Sequence, residues 1–277
     1  MDKKIGIIGF GNMGSAIGER LKSDYQVFVF DKDKKKTKNI FGISVSRNAE
    51  ELVKNADVVI LAVKPQDFNS ALEEIQNSTK DKLIISIAAG ITTGYIEKAL
   101  KGARVVRAMP NLPVKVGEGM SGIAKGKSAT NEDLNFTNRL FSKLGESLVV
   151  REDMMPAVTA VSGSGPGFLC DLVEGNSIHQ IEVFVKESFI PTLTSTSVNL
   201  GFTIDQAKIL AEKTGTGTVK FIEVGHLSPE QIKKQVTSKK GTTEAGLRVL
   251  KHNIKNLTAA VKAALRRAKE LSREEQL

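Results

Sequence analysis

The sequence predicts an α/β domain on a parallel sheet over residues 1–151, followed by an all-α domain over residues 152–277. Three observations carry that expectation. Short apolar runs alternate with helical stretches through the first half, the pattern of βαβ units. A glycine-rich turn joins the first apolar run to the first helical stretch. From about Asp153 onward strand-like alternation stops, and Ala, Leu, Val, Lys and Glu recur at helical spacing. A chain of 277 residues also exceeds what one core usually serves, so two domains are expected.

Element by element, Ile5–Ile8 reads as a strand, Asn12–Leu21 as a helix and Gln26–Phe30 as a second strand. Further strands are expected at Asp57–Val63, Leu83–Ala88, Ala103–Ala108 and Gly122–Ala124, with helices at Ala49–Asn55 and Asp67–Gln76 between the earlier ones. Asn131–Leu144 reads as a helix capped by Asn131, with Phe136, Leu140 and Leu144 on one face. Leu148-Val149-Val150 is expected to close the sheet as an edge strand. In the second half, Ile204–Val224 and Gly246–Leu271 read as helices, the latter with Leu250, Ile254, Leu257, Val261 and Leu265 as its apolar stripe. Gly175-Asn176-Ser177 reads as a helix break.

Composition excludes several classes. The longest apolar run, Val58 to Val63, is strand-length and far short of the ~18 residues of a membrane span. The amino terminus enters the first strand with no room for a signal peptide, which predicts a cytoplasmic protein. Cys170 is the single cysteine, so an intrachain disulfide is impossible, and its apolar neighbours predict a buried thiol. His179, His226 and His252 lack ligand spacing, and no metal site is expected. The formal net charge of +9 comes from scattered lysines, with an aromatic fraction of 5% and no nucleic-acid motif. A solvated surface that attracts anionic metabolites is the simpler reading than nucleic-acid binding.

Gly9-Phe10-Gly11-Asn12-Met13-Gly14 follows a strand and opens a helix, which is the context a Rossmann-type dinucleotide site requires. Gly9 permits the tight turn, Gly11 admits the pyrophosphate, and Gly14 lets the helix pack on the strand. The pyrophosphate then rests on the helix N-terminus. Asp31 ends the second strand where an acid commonly accepts hydrogen bonds from the adenosine ribose. Lys32, Lys34 and Lys35 follow at once and suit a 2′-phosphate, so NADPH and NADH both remain open.

Further motifs share one pattern. Asn12-Met13 lies inside the glycine turn. Ala62-Val63-Lys64-Pro65-Gln66 follows the third strand, and Ser86 to Ile91, containing Ala88-Ala89-Gly90, follows the fourth. Arg107-Ala108-Met109-Pro110-Asn111-Leu112-Pro113, Val158 to Pro166 with its Ser162-Gly163-Ser164-Gly165 core, and Gly241-Thr242-Thr243 complete the set. In this order they resemble the pyrroline-5-carboxylate reductase family across nearly the whole chain. The resemblance implies NAD(P)H-dependent reduction of 1-pyrroline-5-carboxylate to L-proline, the last step of proline biosynthesis. It implies a helical domain that binds substrate and self-associates as a dimer or larger assembly. Residues Gly9, Gly11, Asn12, Met13, Gly14, Asp31, Lys32, Ala62, Val63, Lys64, Pro65, Ala88, Ala89 and Gly90 would then surround the cofactor, and the resemblance adds Asn48 and Gln235. Ser162-Gly163-Ser164-Gly165, with successive N–H groups and hydroxyls, is suited to a carboxylate. By resemblance Gly241, Thr242 and Thr243 complete that clamp, with Thr243 facing the imine nitrogen as the catalytic residue.

Three departures from the family pattern stand out. Ser238-Lys239-Lys240-Gly241 lacks the usual proline and one glycine, Pro156 replaces a common acid, and extra residues fall within Leu169–Phe184. They leave open a related imine or keto-acid reductase with another small-molecule substrate. A non-catalytic dinucleotide sensor is the other alternative, although retention of Ser164, Gly165, Thr242 and Thr243 argues against it.

Overall fold

A computed structural model describes residues 3–274. Its first half runs β1 (Ile5–Ile8), α1 (Asn12–Leu21), β2 (Val27–Phe30), β3 (Ser44–Val45), α2 (Ala49–Asn55), β4 (Val58–Leu61), α3 (Phe68–Ile75), β5 (Leu83–Ser86), α4 (Thr93–Ala99), β6 (Arg104–Pro110), β7 (Gly119–Lys125), α5 (Asn131–Ser142) and β8 (Gly145–Val149). The eight strands form one sheet in the order β3-β2-β1-β4-β5-β6-β7-β8, parallel throughout except for the β6–β7 pair. Strands β1, β4 and β5 are buried at every position because helices cover both faces, which is why they read as unbroken apolar runs. One core, with Ile7, Ile17, Val29, Ile60 and Phe141, fills one side of the sheet, and another, with Leu52, Val59, Phe68 and Ile96, fills the other. This is the doubly wound arrangement of a Rossmann-type fold, and β8 is the expected edge strand.

From Met155 onward the described residues are helical or in connecting turns: α6 (Met155–Val158), α7 (Gly165–Leu172), α8 (Ile178–Phe184), α9 (Ile190–Asn199), α10 (Ile204–Gly225), α11 (Pro229–Val236), α12 (Thr242–Leu250) and α13 (Leu257–Glu274). Single π-helical turns at Thr159–Gly163 and Val185–Phe189 link α6 towards α7 and α8 to α9. The helices build their own core around Phe168, Phe189, Leu210 and Val261, and it reaches Met120 and Ala124 on β7. No helix among the described residues is long and apolar enough to cross a membrane.

Two local expectations change. The cap of α5 is Thr130, one residue earlier than Asn131: the Thr130 hydroxyl accepts from the Asp133 N–H at 3.1 Å, and the Asp133 carboxylate accepts from the Thr130 N–H at 2.9 Å. This reciprocal box competes better than a lone asparagine cap. The single helix expected over 246–271 is broken at Lys251 and His252, both left-handed at φ 49° and 53°. A continuous helix would direct the His252 N–H to a carbonyl four residues earlier, but it donates instead to the buried Asp171 carboxylate at 3.2 Å. Asn253 then caps the next turn by accepting from the Lys255 N–H at 3.0 Å. The helix break at 175–177 is present, with Gly175 at φ 82° and Ser177 capping α8.

Candidate active site

The glycine turn sits at the carboxyl end of β1, next to β4, where the strand order reverses direction and open α/β sheets bind ligands. Its three glycines have three separate reasons. Gly9 has φ 93°, and a Cβ there would lie 2.7 Å from the Ala62 carbonyl oxygen. A Cβ on Gly14 would lie 2.0 Å from the Gly9 carbonyl oxygen, so only glycine lets α1 approach the turn. A Cβ on Gly11 meets nothing within 4 Å. Gly11 is therefore not demanded by packing, and the open space beside it lies where the N-terminal N–H groups of α1 present partial positive charge. Asn12 is exposed on the first turn, whereas Met13 is tucked against both the sheet core and a small cluster around Leu112 and Phe221.

The turn opens onto a cleft of about 260 Å³ lined by Gly9, Gly11, Asp31, Lys32, Lys36, Ala62, Val63 and Lys64, with Gln66, Asp67 and Glu74 on its α3 side. Asp31 is nearly buried. Its Oδ2 accepts from the Phe10 N–H at 2.7 Å and its Oδ1 from the Asp33 N–H at 2.8 Å, while the Lys36 ammonium lies 3.2 Å from both oxygens. Burial pushes this carboxyl up, but the two N–H donors and Lys36 outweigh it and hold it below its ordinary value. Lys32 pairs with Asp67 across the rim. Lys34 and Lys35 are exposed and outside the cleft. Lys64 is exposed at the start of the turn led by Pro65 and forms no ion pair among the described residues.

Farther along the strand ends, Ala88 is buried and Gly90 has φ 84°. A Cβ on Gly90 would lie 3.3 Å from Leu271, so this loop also carries the close approach of α13. Beyond β6, the Asn111 amide accepts from the Met120 N–H at 2.8 Å and donates to the Ser162 carbonyl at 3.3 Å, fastening the strand-end loop to the helical half. Arg107 is buried and pairs with Glu152 at 3.2 Å. Burial lowers its pKa and Glu152 opposes this.

The structure brings together residues about 80 positions apart. The Thr243 hydroxyl donates to the Ser164 hydroxyl at 3.2 Å, and the Ser164 and Thr242 hydroxyls lie 3.1 Å apart. Ser164 and Thr243 are buried, and Gly241 is the N-cap of α12. The Ser162-Gly163-Ser164-Gly165 stretch is not the free helix start that its composition suggests. It lies within a helical run entered at Met155, its π turn spends the Ser164 N–H on the Thr159 carbonyl at 2.9 Å, and the Ser162 hydroxyl reaches the Met120 carbonyl at 3.4 Å. Hydroxyls, more than a row of backbone N–H groups, are what this corner offers. Lys239 and Lys240 are exposed and outside the hydroxyl cluster.

Two residues stand apart from the cleft. The Asn48 side chain caps α2 by accepting from the Glu51 N–H at 2.8 Å, and Gln235 accepts from the Lys115 ammonium at 2.9 Å. Lys115, half-buried with its pKa lowered by that burial, was not singled out by any motif. Lys36 was also missed. The Asp33 side chain accepts from the Lys35 N–H at 3.0 Å, and that capped turn carries Lys36 back to Asp31; an Asp heading a four-residue turn is the signal that finds it. Cys170 is buried and its thiol is pushed up to about 12 by burial. Asp171, Glu174 and His252 converge, but the Lys233 ammonium bridges the two carboxylates at 3.1 and 2.8 Å.

Comparison with known proteins bears directly on this arrangement. Residues 187–275 match the model for pyrroline-5-carboxylate reductase dimerisation, and residues 4–90 match that for NADP oxidoreductase, coenzyme F420-dependent. The chain is 37% identical to pyrroline-5-carboxylate reductase of Methanosarcina acetivorans over 99% of its own length and 98% of the relative's. The chain belongs to the pyrroline-5-carboxylate reductase family. The enzyme of that name from Escherichia coli is 34% identical, with 98% of each chain covered. Among solved structures, the Coxiella burnetii pyrroline-5-carboxylate reductase matches with a TM-score of 0.64 and 32% identity over 98% of this chain and 99% of that one. A Plasmodium falciparum pyrroline carboxylate reductase with NADP bound matches at TM-score 0.63 and 28% identity, with 98% of each chain covered.

Proposed function

We propose that the chain reduces 1-pyrroline-5-carboxylate to L-proline with NADPH or NADH, acting in the cytoplasm as a homodimer or larger assembly. The domain boundary is placed near residue 151, between the last strand and the first helix. The observation that carries the reading is the hydroxyl cluster: Ser164, Thr242 and Thr243 converge on a helical run that Asn111, just past the carboxyl end of β6, fastens at Ser162. Full-length membership of the family supports it.

The cleft residues fit a dinucleotide, since Gly11 leaves open space before the N–H groups of α1 and Asp31 stands at the end of β2. When bound, the reduced cofactor supplies a hydride from its nicotinamide ring to the imine carbon. The protein's part is placement. Ala88, Ala89 and Gly90 keep the middle strand end free of bulky side chains. Ser164 and Thr242 hydroxyls, with Gly163, Gly165 and Gly241 around them, hold the substrate carboxylate. The substrate reacts as its iminium: the ring N–H donates to the Thr243 hydroxyl oxygen, whose own proton stays hydrogen-bonded to Ser164, and hydride addition at carbon moves the C=N pair onto nitrogen to give the neutral amine. No ionised base is needed, because the iminium form is already an acceptor.

The experiment is steady-state oxidation of NADPH and NADH with racemic 1-pyrroline-5-carboxylate, in parallel with small 2-keto acids. Turnover confined to the cyclic imine, with proline as product, is expected. Preference for a keto acid, or binding of the dinucleotide with no turnover of any substrate, overturns the reading.

A further inference from the structure

The Asp31 carboxylate has no acceptor capacity to spare. A carboxylate presents about four lone-pair positions. Here Oδ2 takes the Phe10 N–H and Lys36, and Oδ1 takes the Asp33 N–H and Lys36. A ribose 2′-hydroxyl that donated to Asp31 would have to displace Lys36. The two backbone donors belong to the glycine turn and the capped turn after β2 and are fixed by the fold. Lys36 is the one side-chain donor of the set, 43% exposed against 6% for Asp31.

The same contact changes what the cleft repels. An unpaired Asp31 beside a 2′-phosphate would set two negative groups against each other. With Lys36 across both oxygens that carboxylate is neutralised, and an ammonium carries three donors, of which Asp31 takes two. Lys32 stands on the same cleft, paired with Asp67, while Lys34 and Lys35 are outside it.

We propose that Lys36 is the specificity-determining residue of the dinucleotide site: it occupies the ribose-binding face of Asp31 and offers its remaining N–H to a 2′-phosphate, so that this chain prefers NADPH. The inference rests on the cleft being the dinucleotide site. Removing Lys36 would return two acceptor positions to Asp31 for ribose hydroxyls and leave a bare carboxylate facing a 2′-phosphate.

The test is calorimetric titration of the full chain with NADPH and with NADH at one fixed salt concentration. It uses wild type, Lys36→Ala, Lys36→Arg and, as a control outside the cleft, Lys35→Ala, with a melting curve for each. Wild type is expected to bind NADPH at least about tenfold more tightly, the worth of one charged hydrogen bond. Lys36→Ala is expected to lose that ratio, with a weaker NADPH Kd and an unchanged or tighter NADH Kd. Lys36→Arg and Lys35→Ala are expected to keep it and to melt with wild type, while Lys36→Ala, which loses the Asp31 ion pair, is expected to melt somewhat lower but to be fully folded at the titration temperature. Equal or tighter binding of NADH by wild type overturns the proposal. So does a Lys36→Ala variant that weakens both dinucleotides by one factor or alters neither. Binding of neither dinucleotide by wild type would instead overturn the cleft assignment itself.

Discussion

At the scale of single residues, a few groups have surroundings that leave them one task. Gly11 is the glycine of the turn that neither a left-handed conformation nor packing requires, so Gly11→Val should leave the melting temperature near wild type while abolishing NAD(P)H binding. A titration giving unchanged affinity would contradict this. Thr243 does not cap α12, because that position is held by Gly241. Its hydroxyl proton is hydrogen-bonded to Ser164, which leaves the oxygen to accept from the ring N–H, and Thr243→Ala is expected to lower kcat by about 10- to 1000-fold with little change in cofactor affinity. Thr243→Ser, which keeps the hydroxyl, should recover most of the rate; an Ala variant with near-normal kcat would remove Thr243 from the reaction. Cys170, its thiol raised to about 12 by burial, stays protonated at pH 8, where the thiolate of an ordinary cysteine is appreciable. A thiol reagent should label it only after unfolding, and labelling at the same rate in native protein would contradict its burial. The glycine motif and Asp31 could be read in the sequence because their reasons lie in a strand, a turn and a helix adjacent along the chain. Lys36 could not be read from a run of lysines, since only the capped turn separates it from its solvated neighbours Lys34 and Lys35.

At the scale of elements, the central parallel strands β1, β4 and β5 were visible because burial on both faces writes them as apolar runs, and β8 because it follows a patterned helix, whereas the two-residue exposed strand β3 carried no such signal. The broken helix at 251–253 was not, since its apolar stripe keeps helical phase across the break and the competing partner, Asp171, lies about 80 residues away. The π turn at Thr159–Gly163 was hidden in the same way, because serines and glycines before a helix look like a cap whether or not a helix already precedes them. The loop before α12 yields a prediction of its own. Lys240 stands at φ 59° where the family pattern has glycine, with its N–H donating to Glu244 at 2.9 Å and its carbonyl accepting from Arg267 at 2.8 Å. Lys240→Gly is expected to relieve left-handed strain and stabilise the protein by up to about 1 kcal/mol. A lower midpoint in denaturant would show that the lysine side chain contributes more than its backbone costs.

At the scale of the whole molecule, two halves meet across the ends of β6 and β7, and polar contacts there tie the sheet to the helices. Arg107 is buried with Glu152 as its only charged partner among the described residues, so Glu152→Ala strands a buried guanidinium and should cost about 3–5 kcal/mol. A loss below about 1 kcal/mol, read from chemical denaturation, would mean that water reaches the pair. The helices α8 to α10 leave Ile178, Val183, Val198, Ile204 and Val224 exposed on one chain, within and beside the segment matching the dimerisation model. Sedimentation should give a dimer or larger species, and a stable, fully active monomer would contradict the assembly. The proposed reaction moves a hydride from the dinucleotide to the carbon of a cyclic imine, where an isotope can follow it. Incubation with 1-pyrroline-5-carboxylate and NADPH carrying deuterium at both nicotinamide C4 positions, followed by mass spectrometry, should yield proline one mass unit heavier, with the label on the former imine carbon. Unlabelled proline, or no proline at all, would contradict it.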